Sequence, residues 1–257
     1  MPIWLKGILI LIYWELRNRN LYLLKELRKF IDLKMKYNIL IMLFFLGLRG
    51  VAQEIEIPLG NFSEIEITRG LTVNLVPADE NKVVIIGNSR DEVRVTVERG
   101  ILKVRSRLKQ LLETDNTLVT IYFKSIQEIE ARQNSKVEFC SKIIQPLLKI
   151  KAREGATIFG NIEVENLVAT AITGGQLTVI GKAEFQEIDV KAGGGYRGEN
   201  LVGRNINIIV NGGGYAHVFA KKYINATVRA GGNIYLYGNP EEIHEKITFG
   251  GSIKKIN

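Results

Sequence analysis

Glycine pairs and triplets recur through the C-terminal part of this 257-residue chain at a fixed spacing. Gly174-Gly175, Gly193-Gly194-Gly195, Gly212-Gly213-Gly214, Gly231-Gly232 and Gly250-Gly251 each begin nineteen residues after the group before. A period near twenty is the mark of a solenoid, in which each unit buries its apolar side only by stacking on its neighbours. Gly155 precedes the series. Ala131-Arg132-Gln133-Asn134-Ser135 resembles Ala152-Arg153-Glu154-Gly155-Ala156, so the repeat is taken to span 131–257, with Asn134-Ser135 standing in for glycine. Glycine supplies positive φ where the chain turns a corner, at no steric cost. A six-residue period is absent, and parallel crossovers are overwhelmingly right-handed. The expected fold is therefore all-β, a right-handed parallel β-helix of about nineteen residues per coil. Six coils stacked about 4.8 Å apart give a rod of roughly 30 Å.

Aligning the copies at nineteen residues predicts columns. Leu177, Tyr196, Tyr215, Ile234 and Ile253 form one inward column, and Ala171, Val190, Ile209 and Val228 another. His217 falls with Val179 and Leu236, which reads as a packed histidine. Ile172, Ile208 and Val210 fall among outward positions and make the outer face partly apolar. Tyr235 also points outward. Asn207 and Asn211 are read as candidates for buried amide ladders.

Between residues 53 and 130 the period is two, which buries one face of each strand. Glu54 to Ile57, Glu64 to Ile67, Val73 to Val76, Lys82 to Ile86 and Leu118 to Phe123 all alternate. Val93 to Val97 and Ile101 to Val104 flank Glu98-Arg99-Gly100, a hairpin signal. Leu108 to Asn116 is polar and reads as an exposed loop. These strands are expected to cap one end of the rod. Lys254 and Lys255 discourage edge pairing at the other.

The N-terminal segment differs in kind. Met35-Lys36 precedes the apolar run Ile39 to Leu48, and Gly50 and Ala52 satisfy a small-x-small cleavage rule. Residues 35–52 therefore read as a signal peptide, since the run is shorter than the about 20 residues that span a bilayer. Residues 1–34 read as an upstream extension ahead of the true start at Met35, or as a helical leader. The competing reading is an uncleaved anchor with a basic cytoplasmic linker. The formal charge of +8 sits mainly here: residues 1–52 carry +6 and the remaining 205 residues only +2. The body lacks the clustered Lys and Arg of a phosphate-binding face, so a nucleic-acid partner is not expected.

Reactive chemistry is sparse. Cys140 is the single cysteine, and the histidines are His217 and His244. Cys140 reads as a small buried hydrophobe. Gly193-Gly194-Gly195-Tyr196-Arg197-Gly198 lacks the strand-to-helix context of a phosphate loop. Asp189, Glu187 and Glu184 are near in sequence, but no adjacent coil places a second acid in the column of Asp189. No catalytic, cofactor or metal site is expected.

Phe62-Ser63-Glu64-Ile65-Glu66-Ile67, the small-Gly-Gly coils, and the ending Tyr237-Gly238-Asn239-Pro240 with Gly250-Gly251-Ser252 resemble the family called putative auto-transporter adhesin, head GIN domain. The likeness covers about Glu54 to Ile253. It implies a β-helical envelope protein of the Bacteroidetes type and carries over no catalytic residues. The function expected is an exported, non-enzymatic adhesin or scaffolding module, periplasmic, outer-membrane-associated or extracellular, with a glycan or envelope protein as partner. Membrane contact is expected only through the leader. A polysaccharide lyase or hydrolase is the alternative. Tyr235, Ile172, Ile208 and Val210 are the candidate binding residues.

Overall fold

The computed structural model describes residues 54–107 and 116–256, together with Lys34 and Lys36. Apart from Lys34 and Lys36, the leader with the expected signal peptide at 35–52 lies outside the described residues, as do residues 108–115 of the expected polar loop. The chain divides into two compact units, Met1–Ala52 and Gln53–Asn257. The second is a β-solenoid of about seven turns with about nineteen residues per turn. Its one described helical turn is the 3-10 segment Arg90–Glu92.

Seven sequential turns are built from β8 (Glu128–Ala131), β9 (Lys136–Phe139), β10 (Ile143–Arg153), β11 (Thr157–Ile172), β12 (Gln176–Lys191), β13 (Gly195–Asn211), β14 (Tyr215–Arg229), β15 (Asn233–Tyr237), β16 (Glu242–Thr248) and β17 (Ser252–Lys255). Every neighbouring pair in this series is parallel. The long strands β11 to β14 each run along a front face, bend, and continue along a back face. The bend needs no glycine. Two consecutive residues simply point outward, as Glu165-Asn166 do in β11 and Glu184-Phe185 in β12. The return corner is tight and carries the glycines.

That corner opens with two residues in the left-handed region; the third lies outside it at Gly175, Gly194 and Gly214 but keeps a positive φ, 113° and 104°, at Gly232 and Gly251. Thr173-Gly174 have φ of 52° and 72°, and Ala192-Gly193, Gly212-Gly213, Ala230-Gly231 and Phe249-Gly250 repeat the pattern. Gln133-Asn134, at 55° and 60°, make the expected glycine-free corner. Asparagine tolerates this conformation, and the Ser135 hydroxyl fastens the turn by donating to the Arg132 carbonyl at 2.7 Å. The glycine after the turn has a different reason. A Cβ on Gly175 or Gly194 would collide with the carbonyl of Ala152 or Ala171 in the preceding coil. The corners also pair with each other: Gly155 N–H donates to Thr173 O at 3.1 Å and Gly174 N–H to Ala192 O at 3.2 Å.

The N-terminal strands are woven into the same stack, out of sequence order. β1 (Ile55–Pro58), β2 (Glu64–Thr68), β3 (Thr72–Pro77), β4 (Lys82–Ile86), β5 (Val93–Glu98), β6 (Ile101–Ser106) and β7 (Leu118–Phe123) complete the sheet. β2 lies between β6 and β8 on the back face, and β3 between β7 and β9 on the front. The rung at 64–77 is therefore inserted between one built later in the chain and the first repeat coil. Antiparallel strands end the parallel stack: β5 on β6 at the back, and β4 with β1 on β7 at the front. The β5–β6 hairpin expected at Glu98-Arg99-Gly100 is present and turns on two residues, Arg99-Gly100, with φ of 52° and 79°.

The lumen is mostly aliphatic. One column runs Ile150, Ala169, Ile188, Ile208, Ala226, and another Ala152, Ala171, Val190, Val210, Val228, all buried. This corrects the nineteen-residue alignment. Ile208 and Val210, expected outside as binding residues, are 1% and 0% exposed, and Ile209 faces out at 37%. The cause is one extra residue in β13. Thr178 pairs with Arg197, but Gly181 pairs with Leu201; the offset stays at twenty through Gly198–Val218, drops to seventeen at Val202–Phe219, and settles at eighteen from Asn205–Tyr223. The triplets hide the slip. Gly195 opens a strand, whereas Gly212 takes the corner position that Ala192 and Ala230 hold. Asn207 shares an outward column with Glu187, Asn225 and His244, and Asn211 one with Lys191 and Arg229, so neither forms a buried ladder.

Cys140 is a second correction. It is exposed. The alternation of β9 turns Val137 and Phe139 inward and leaves Glu138 and Cys140 outside. Partial burial raises the thiol pKa, and Glu138 adds to the effect.

Candidate functional site: an aromatic and cationic ladder on the front face

On a parallel stack, residues in register form columns one rung apart. The outward front column after the glycine corner reads Phe159, Thr178, Arg197, His217, Tyr235, Lys254. The column beside it contains Gln176, Gly195, Tyr215 and Asn233. Tyr215 was expected inside with Tyr196. The extra residue in β13 moves it outside and puts Ala216 in the inner place, between Tyr196 and Ile234. The same slip carries His217 out of the Val179 column, where Val218 packs instead.

These displaced residues meet Tyr235. The His217 ring stacks on Tyr235 with centroids 4.5 Å apart and planes at 17°. Tyr215 meets His217 edge-on at 6.0 Å. His217 Nδ1 and the Tyr237 hydroxyl are hydrogen-bonded at 3.0 Å. The Arg197 guanidinium lies 5.5 Å from the Tyr215 ring centroid and the Lys254 ammonium 5.9 Å from that of Tyr235. Gly195 makes the arrangement possible, since a Cβ there would stand 2.5 Å from Tyr215 Cζ. The Tyr215 hydroxyl donates to Gln176 Oε1 at 2.5 Å and holds the ring in place.

Charge is distributed around the stack. Burial lowers the His217 pKa, Glu199 opposes that, and Arg197 reinforces it. A hydrogen bond that the guanidinium donates to the Tyr215 hydroxyl raises the Arg197 pKa. The imidazole is therefore neutral near pH 7 and presents a flat aromatic surface between two cations.

Gln176 links this cluster to a shallow depression of about 310 Å³ on the same face. Thr72, Lys136, Glu138, Phe159, Gln176 and Thr178 line it. Phe159 stands 42% exposed at its edge. A ring platform ringed by hydroxyl, amide and charged groups is suited to a polyhydroxylated ligand, whose apolar ring faces and polar edges need both.

Of the expected binding residues, Tyr235 is part of this cluster. Ile172 is half-buried on the back face, in register with Arg153 and Lys191, and far from it in the coil. Ile208 and Val210 belong to the core. Sequence reasoning passed over Arg197 and Phe159 as binding residues and read Tyr215 and His217 as packed inside. The signal available was the alternation within Tyr215 to Tyr237, once the triplet Gly212-Gly213-Gly214 is aligned on its second glycine. Asp189, the carboxylate weighed for polysaccharide cleavage, is ion-paired with Lys191 on the back face. Among the described residues, no three His, Cys, Asp or Glu side chains converge as a metal site.

Solved structures share this fold. A putative adhesin from Bacteroides fragilis superposes with a TM-score of 0.73 at 17% identity, covering 79% of this chain and 96% of that one. A putative adhesin from Parabacteroides distasonis gives 0.65 at 18%, covering 79% and 96%. A putative lipid binding protein from the same species gives 0.60 at 19%, covering 81% and 98%. No curated protein matches the sequence. The family model for the putative auto-transporter adhesin, head GIN domain, matches residues 61–240, and the chain belongs to that family.

Proposed function

We propose that this protein is an exported, non-catalytic binding module of adhesin type, and that it holds glycan at the cell envelope through the front face of its solenoid. The observation that carries the reading is the continuous surface from the Phe159 depression to the Tyr235–His217 stack. Aromatic faces flanked by hydroxyl and amide groups recognise sugars by stacking and hydrogen bonding together. A repetitive surface also lends itself to many weak contacts along one polymer. Family membership supports the adhesin class, and the leader that reads as a signal peptide supports export.

The test is a glycan array probed with the protein and with its Tyr235→Ala variant. Binding to a defined set of glycans, reduced at least several-fold by the substitution, is the expected result. Binding untouched by Tyr235→Ala moves the site elsewhere. N-terminal sequencing of the exported protein checks the leader, with a chain beginning near residue 53 expected.

A further inference from the structure

We propose that the front-face ladder is selective for an acidic polysaccharide, with sugar carboxylates held by Arg197 and Lys254 on either side of the Tyr235–His217 stack. This rests on the glycan-binding reading and names the ligand class. Along the column, Arg197 comes one rung before His217, and Lys254 one rung after Tyr235. The neutral aromatic pair is thus bracketed by two cations, roughly three rung spacings or about 14 Å apart.

Many cations elsewhere on the solenoid face a carboxylate. Lys82 pairs with Glu56 and Glu80, Lys103 with Glu98, Lys142 with Glu163, Lys151 with Glu128, and Arg153 with Glu130. Arg197 and Lys254 lie over tyrosine rings instead. Among the described residues, neither forms an ion pair. Glu199 is the carboxylate whose field reaches Arg197 and His217, and it too forms no ion pair among the described residues. Ring contacts and the Tyr215 hydrogen bond position the guanidinium without satisfying its donor fork, which matches a carboxylate edge. A neutral glycan would cover the stack and leave both cations without a counter-charge.

The ladder also argues for a polymer over a single sugar. From Phe159 to Lys254 the column advances five rungs, about 24 Å at the parallel-strand spacing. The Phe159 depression adds Lys136 beside its ring platform, and Gln176 bridges the two regions through Tyr215. Acidic units at the Tyr235 end and further units over Phe159 would occupy one continuous track.

The experiment compares oligogalacturonate and oligomannuronate with their fully methyl-esterified forms, which keep the ring and lose the charge. Titration calorimetry of the full chain is the readout, at fixed low and moderate salt. The expected result is at least tenfold tighter binding of an acid than of its ester. Arg197→Gln and Lys254→Gln should each weaken acid binding at least fivefold and weaken ester binding by clearly less. Lys246→Gln, an exposed lysine on the back face, is the charge control and should change little. Equal affinity for acid and ester overturns the proposal. So does acid binding as sensitive to Lys246→Gln as to the two ladder substitutions, which marks general electrostatic attraction. Ester binding that Tyr235→Ala removes, with no preference for the acid, sinks only the acidic class and leaves the glycan reading standing. Silence toward both acids and both esters, together with an empty array, sinks both.

Discussion

The Tyr196 hydroxyl donates to Gln186 Oε1 at 3.2 Å inside the lumen of the solenoid. Gln186 occupies a column otherwise filled by Leu148, Leu167, Ile206 and Ile224. Both side chains are buried, and Gln186 Nε2 has no partner among the described residues. Burial pushes the Tyr196 phenol far above its ordinary pKa, with Glu199 adding to the effect. Gly198 makes room, since a Cβ there would lie 2.5 Å from the Tyr196 ring. Tyr196→Phe should cost about 1–3 kcal/mol by leaving the amide wholly unsatisfied. Tyr196→Phe with Gln186→Leu should recover part of that loss. Urea melts of the two single variants and the double variant measure it, and additive losses would argue against the pairing.

The shift of one residue in β13 makes opposite predictions for neighbouring positions. Val210→Asp buries an unpaired charge in the lumen and should prevent folding or cost several kcal/mol. Ile209→Asp, on the surface, should change stability by less than about 1 kcal/mol. Thermal melting separates them. The unshifted nineteen-residue register requires the reverse order.

The two glycines of a corner should respond differently. Gly193 has φ of 71° and open space around its Cβ position. Gly193→Ala should cost about 1–2 kcal/mol from the left-handed backbone alone, and Gly193→Asn less. Gly194→Ala meets the Ala171 carbonyl and should cost more than either. Chemical denaturation of the three variants tests this ranking.

Phe249 holds the first left-handed position of the last corner at φ 58°, and its side chain is 89% exposed. Its burial contributes little to offset the backbone cost. Phe249→Asn should therefore raise stability by about 1 kcal/mol, seen as a higher melting temperature. A lower one would show that the ring is covered by something it stabilises.

His217 makes the cluster sensitive to acid. Its folded pKa is depressed below 6.5, so the unfolded chain takes up the proton first. Its contribution to stability is complete above about pH 6.5 and is lost as pH falls through the folded value. His217→Phe keeps a ring against Tyr235 and removes the titration. The variant should lose less stability than the parent between pH 7 and pH 5. Parallel melting curves against pH in both proteins would contradict the assignment.

The sequence by itself determined the class of fold, the corners and the alternation of the strands. Those are local matters. A left-handed pair needs glycine or asparagine, as at Gln133-Asn134 and Thr173-Gly174, and period two declares a half-buried strand. Cys140 was expected to be buried, although its alternation with Phe139 already pointed outward. Only the tertiary structure decided which rung lies where and which residues share a column. β2 and β3 sit between strands from later in the chain because pairing depends on where an edge is free, which no local pattern records. The extra residue in β13 is invisible inside two glycine triplets, because a residue without a side chain cannot show which face it would have taken. That single shift sent Val210 inward and brought Tyr215 and His217 out to meet Tyr235, and with them the surface on which the proposed function rests.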